Sequence, residues 1–285
     1  MNTSIKKNSP IFIDTHCHIN LLVKKGFDIS LTEQQLRDAI PIIAKASTAG
    51  VKQIINIGTS IIESQNCIRL AQMYKNLFAV VGIHPCDLST SWRDDLKKIE
   101  MLAKEKDKIV GIGETGIDLY RPGYHLQQQL DGFRAQIELA LKYDLALVIH
   151  TRTAPEETLT VLSEYRHNIK HGVIHCYPYD LSFAKDVIGM NFLLGIGGSV
   201  TYPNNKQLQN IVRELPLDSF IFETDAPFLP PQTIRGKQNS PDQIATIAQF
   251  VAELTNNSLE IVAQKTTTNA QKLFLLPPIC DNIES

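Results

Sequence analysis

The sequence predicts an α/β fold, a (β/α)8 barrel of the TIM type. Three observations carry that prediction. Eight short apolar, β-branched runs recur along the 285 residues; the intervals between them carry helical periodicity; and metal-capable side chains stand just past five of the runs. Strand alternating with helix makes a parallel sheet. An open doubly wound sheet would give the same alternation, but it would spread strands one, four, five, six and eight across its width. Closure brings their ends to one mouth.

In chain order, the first run is Ile11–Asp14, followed at once by His16-Cys17-His18. Residues 20–33 contain Gly26 and no firm periodicity, and read as a long loop at the mouth. Helical spacing then covers Leu36–Ala49, and Gly50 closes that helix ahead of the second strand, Gln53–Gly58. Next come helix Ile61–Tyr74, strand Phe78–Ile83, helix Asp94–Glu105, strand Ile109–Gly113, helix Leu126–Tyr143 and strand Ala146–Ile149. Thr153-Ala154-Pro155-Glu156 puts proline and an acid in the first turn of helix Pro155–Tyr165. Strand Gly172–Ile174, helix Leu181–Val187, strand Phe192–Ile196, helix Lys206–Leu215 and strand Ser219–Phe222 follow. Ser240 caps a last helix, Pro241–Leu254, and the tail from Leu276-Pro277-Pro278 reads as irregular. With 43% hydrophobic residues the chain is expected to form one domain over 1–285, its core within 10–276.

Charge and cysteine content narrow the function. The 28 basic and 30 acidic residues leave a net charge of −2, so no global basic field draws in a polyanion; any phosphate must be recognised locally. Five cysteines without regular spacing fit a reducing, cytoplasmic compartment better than a disulfide framework. No leader-like apolar stretch and no run of membrane-spanning length is expected, and the helix faces leave no surplus apolar stripe, which favours a monomer.

Six side chains carry the chemistry. His16 and His18 lie two residues apart at a strand end, where alternation sends both imidazoles to one side, toward one metal, with Asp14 and Thr15 placed to orient them. Glu114 follows Ile109-Val110-Gly111-Ile112-Gly113; a carboxylate can bridge two cations, and Gly113 and Gly116 allow close backbone approach around it. His150 and His175 each end an apolar run and would serve a second cation beside Glu114. Asp225, after the eighth strand, can bind metal and take a proton from an attacking water, with Glu223 behind it as support. Asp118 reads as a supporting acid. Arg152, two residues past His150, and Arg235 and Lys237 in a basic loop are candidates to hold phosphate. Two divalent cations against Glu114 and Asp225 leave the centre positive, so it attracts phosphate without a basic surface.

Taken together, Ile13-Asp14-Thr15-His16-Cys17-His18, Gly82-Ile83-His84-Pro85, Gly113-Glu114-Thr115-Gly116-Ile117-Asp118, Val148-Ile149-His150-Thr151-Arg152, Ile174-His175-Cys176, Glu223-Thr224-Asp225-Ala226-Pro227-Phe228-Leu229 and Arg235-Gly236-Lys237-Gln238-Asn239 resemble the TatD family of metal-dependent hydrolases almost end to end. The resemblance implies one metal on His16, His18, Glu114 and Asp225 and another on Glu114, His150 and His175, with His84 supporting them or lining the substrate pocket. It implies a deoxyribonuclease dependent on magnesium or manganese, often a 3′ to 5′ exonuclease; in the mechanism expected for this chain a hydroxide bridging the metals attacks the phosphodiester. Zinc, iron or nickel also suit such mixed ligands as bound ions. Family members that deacylate D-aminoacyl-tRNA make that ester the alternative substrate, and a non-catalytic nucleic-acid scaffold is a third reading. DNA ends or single strands are the expected partner. One departure stands out: where the family has Phe-Ser-Gly after His175-Cys176, this chain has Tyr177-Pro178-Tyr179, whose rings would either stack on a terminal base or pack the loop.

Overall fold

β-Branched and aliphatic runs too short for helices pair side by side when both faces can be buried, which the intervening amphipathic helices make available. A computed structural model describes residues 9–104 and 107–279. Its strands are β1 (Phe12–Cys17), β2 (Val51–Ile57), β3 (Leu77–Val81), β4 (Ile109–Asp118), β5 (Ala146–Arg152), β6 (Gly172–Ile174), β7 (Phe192–Ile196) and β8 (Phe220–Phe222), all parallel and hydrogen-bonded in sequence order. The first and last strands nearly close the sheet: Cys17 bridges Ala226, Asp225 N donates to His16 O (2.8 Å) and His18 N to Ala226 O (2.7 Å). Asp14 fastens the same seam, accepting from Thr224 N (3.0 Å) and Thr224 Oγ1 (2.6 Å). The expected barrel is the observed fold.

The helices are α1 (Ile19–Leu22), α2 (Glu33–Asp38), α3 (Ile40–Thr48), α4 (Ile61–Met73), α5 (Trp92–Ala103), α6 (Leu126–Tyr143), α7 (Pro155–Glu164), α8 (Leu181–Ile188), α9 (Lys206–Glu214), α10 (Ile244–Thr255) and α11 (Leu259–Phe274). Four of these depart from the sequence expectation. The single helix over Leu36–Ala49 is two, because Pro41 restarts the chain after Ala39, and α2 begins earlier, at a capping box between Thr32 and Gln35. The supposed loop over 20–33 opens with α1. Most consequentially, α11 was not expected at all. Residues 1–8, 105–106 and 280–285, which include Glu105 of an expected helix and most of the expected irregular tail, lie outside the described residues.

Side chains sort by alternation. Ile13, Ile55, Ile57, Phe78, Val80, Val148, Val173 and Ile221 form an inner cluster with Leu273 and Phe274 of α11, while Phe12, Ile54, Ala79 and Ile149 pack outward against helices. Continuing strict alternation from Ile13 would turn Thr15 and Cys17 to the axis and the histidines away from it. The β1–β2 pairing shifts register between Asp14 and Cys17, and this one-residue slip is what aims His16 and His18 inward while Cys17 joins the outer core. Among the described residues Cys17, Cys67, Cys86 and Cys176 are free thiols, and no helix is long and apolar enough to cross a membrane.

Candidate metal centre

The carboxyl ends of β1, β4, β5, β6 and β8 bring all six expected groups to one buried cluster. His16 Nε2 and His18 Nε2 are 3.2 Å apart. Asp225 Oδ1 lies 3.4 Å from His18 Nε2 and 3.7 Å from His16 Nε2. Glu114 divides its oxygens: Oε2 is 3.5 Å from His16 Nε2, whereas Oε1 is 2.7 Å from His150 Nδ1 and 3.8 Å from His175 Nε2. The two imidazole groups are not separate, for the His16 and His175 rings stack with centroids 3.5 Å apart. β4 carries Glu114 inside its length instead of ending before it, and β5 runs on through Arg152. Glycine is required there: at Gly113 (φ +152°) a Cβ would stand 2.5 Å from Val148 O, and at Gly116 (φ +139°) it would collide with the His150 carbonyl oxygen.

His18, His150 and His175 each meet a partner on the other nitrogen. His18 Nδ1 spends its proton on Ile57 O (3.0 Å), which leaves Nε2 a lone pair facing the cluster. His150 Nε2 is held by Asp118 Oδ2 at 3.1 Å, and His175 Nδ1 lies 3.0 Å from Glu223 Oε1. Glu223 therefore supports His175, and the Cys176 N–H (2.6 Å), where the sequence reading set it behind Asp225. His84 comes as near to Glu114 Oε1 as His175 does, 3.8 Å, but its Nδ1 accepts the Cys86 N–H, so in the neutral ring the proton sits on Nε2. Burial and the neighbouring His150 push the His84 pKa down to about 3, which keeps the ring neutral.

The charges fit a bound cation. Burial alone would raise Glu114 and Asp225, yet the facing imidazoles hold both carboxyls below their usual range. Burial would lower His175, yet Glu223, Glu114 and Asp225 lift it to about 10. The carboxylates thus call for positive charge among the imidazole nitrogens, and His16 Nδ1, buried without a hydrogen-bond partner, leaves that ring free to adjust. Several overlapping groups here can hold a metal ion, among them His16, His18 and Glu114; His16, His175 and Asp225; and His84, Glu114 and His150.

The expected phosphate holders ring the mouth. Arg152 is exposed with its guanidinium 3.6 Å above the Tyr120 ring; Arg235 lies 4.5 Å above Tyr202; Lys237 is exposed in the same loop as Arg235. The loop after His175 resolves toward packing. Tyr177 is buried and donates to Asp180 O, and Tyr179 sits 4.6 Å from the Phe183 ring with its hydroxyl on Thr151 Oγ1 and Ala154 N. Tyr177 is thereby withdrawn from the mouth, while half-buried Tyr179 is anchored through its hydroxyl. Two glutamines of α6 that carry no signal in the sequence hold this frame: Gln136 clamps Ile83 and Thr115, and Gln129 brackets the backbone of Asp118, so one helix fixes both the His84 loop and the end of β4.

A family model described as TatD related DNase matches residues 13–275. YabD of Bacillus subtilis, named an uncharacterized metal-dependent hydrolase, is 33% identical over 93% of this chain and 99% of its own length. The 3′-5′ ssDNA/RNA exonuclease TatD of Erwinia amylovora is 31% identical over 87% of this chain and 99% of its own. Among solved structures, the TatD homologue YjjV of Escherichia coli superposes with a TM-score of 0.84 at 28% identity, covering 93% of this chain and 98% of that one. With a relative this similar along nearly its whole length and a family model spanning the barrel, the chain belongs to the TatD family of metal-dependent hydrolases.

Proposed function

We propose that this chain is a deoxyribonuclease that hydrolyses phosphodiester bonds at DNA ends, in the 3′ to 5′ direction, with two divalent cations, magnesium or manganese in function. His16, His18, Glu114 and Asp225 would hold one, and Glu114, His150 and His175 the other. The observation that carries this reading is the division of Glu114, one oxygen toward His16 and the other toward His150 and His175. Bound there, the cations would polarise a phosphoryl oxygen and make water a nucleophile near neutral pH.

The side chains do the rest. Asp225, held ionised by His18, His175 and His16, is the base that takes the proton of the attacking water. Asp118 and Glu223 keep His150 and His175 in one orientation, and neutral His84 presents Nε2–H toward the reacting phosphate. Arg152, Arg235 and Lys237 position the flanking phosphates from the rim. Asp225→Asn is expected to lower kcat by about 10²–10⁴-fold while thermal unfolding and most metal uptake persist. The assay sets single-stranded DNA beside D-aminoacyl-tRNA, with magnesium or manganese. Wild-type rates in the variant would end the assignment of Asp225, and turnover of the tRNA ester alone would end the nuclease reading.

A further inference from the structure

Beside the metal centre lies a cavity of about 160 Å³ between the turn Pro85–Asp87 and the loop that joins β4 to α6. Pro85 and Leu88 wall one side; Arg121, Tyr124 and His125 wall the other; Cys86 lines it next to His84. Burial pushes the Cys86 thiol up to about 12, so this wall is neutral. The pocket shares a partition with the centre. Asp118 turns one oxygen to His150 Nε2 and with the other accepts the backbone N–H of Tyr120 (2.9 Å) and of Arg121 (3.4 Å), which folds the loop back over the cavity.

We infer that this pocket takes the nucleobase next to the scissile phosphate and that it fits a pyrimidine better than a purine. The inference rests on the nuclease reading above. A cavity near 150 Å³ accommodates a benzene-sized ring, so one six-membered heterocycle fits within this one, whereas a fused bicycle projects further through its open side. Its walls match such a ring: Pro85, Leu88 and the Tyr124 ring offer flat apolar faces, and Arg121 offers donors to the exocyclic carbonyl oxygens that both pyrimidines carry. A phosphate subsite would not need the apolar half. Tyr124 is 47% exposed where it lines the cavity, so its ring is open to a base.

The test compares kcat/KM on oligo(dT) and oligo(dA) of equal length, with a strand of abasic tetrahydrofuran residues as a diester that carries no base, for the wild type, Arg121→Ala, Tyr124→Ala and Tyr124→Phe. The wild type is expected to favour oligo(dT) by roughly tenfold, the size of one base contact. Arg121→Ala and Tyr124→Ala should lose that preference, Tyr124→Phe should keep it, and all should hydrolyse the abasic strand at wild-type rates. Equal rates on the two oligonucleotides, an undiminished preference in both alanine variants, or a parallel fall on the baseless diester would overturn the pocket while the nuclease reading stood. Cleavage of the baseless diester with no DNA turnover would overturn the nuclease reading and the pocket with it.

Discussion

At the scale of single residues, orientation rests on carboxylates one step behind the reactive groups. Glu223 is the sharpest case, because it meets both the His175 ring and the Cys176 N–H. Glu223→Gln is predicted to weaken manganese affinity about 10–100-fold by calorimetric titration with little change in melting temperature; unchanged affinity would place the control of His175 elsewhere. Glu63 is a different case, structural and away from the centre. Buried with Lys24 (2.7 Å), it also accepts from Asn20 and from the Asp28 N–H, and so pins the first mouth loop. Burial would raise its pKa, but the bonds from Lys24, Asn20 and Asn66 outweigh that and hold it below the ordinary glutamate value. A depressed carboxylate stabilises fully above its unfolded pKa and loses that contribution as pH falls through the folded one. Lys24→Met is predicted to cost about 2–4 kcal/mol in urea unfolding at neutral pH, with the gap to wild type narrowing in acid below the ordinary glutamate pKa. The six reactive residues were legible in the sequence because each interrupts or ends an apolar run. Gln129 and Gln136 were not, since a glutamine in a helix reads as solvent-facing until the fold buries it.

At the scale of elements, the strands were legible because β-branched runs have few alternatives; β6 and β7 have the bounds that the sequence indicated. Helix α11 was not legible, because Thr266-Thr267-Thr268 lowers helix propensity and the inward positions mix threonine and alanine with leucine. Its role explains that composition. Thr267 Oγ1 donates to Ile11 O (2.7 Å), and Asn269 Nδ2 donates to Leu217 O and Phe220 O, so polar atoms of α11 tie the entries of β1 and β8 together while Leu273 and Phe274 join the inner core. The register slip in β1 was equally hidden, since both histidines remain two residues apart whichever way the strand faces. Phe274→Ala is predicted to cost about 3–5 kcal/mol by denaturant unfolding, and Ile261→Ala, on the exposed face of the same helix, within about 0.5 kcal/mol. Similar losses at both sites would mean that α11 does not close the barrel.

At the scale of the whole molecule, a net charge of −2 has to coexist with a polyanionic substrate. The cationic side chains assigned to phosphate are few and sit on the rim, Arg152 and Arg235 each backed by a tyrosine ring that keeps the guanidinium extended. Binding of single strands by three such contacts releases few counterions. The logarithm of the association constant is therefore predicted to fall against the logarithm of salt concentration with a slope of about −2, from roughly 0.7 per neutralised phosphate. Fluorescence anisotropy with metal-stripped protein and a labelled oligonucleotide measures it. Arg235→Ala should reduce the slope by about 0.7 and weaken binding of all sequences alike, because a phosphate contact carries no base information. A much steeper slope in the wild type would mean that further basic side chains carry the strand; a slope unchanged by Arg235→Ala would remove that residue from the path of the DNA.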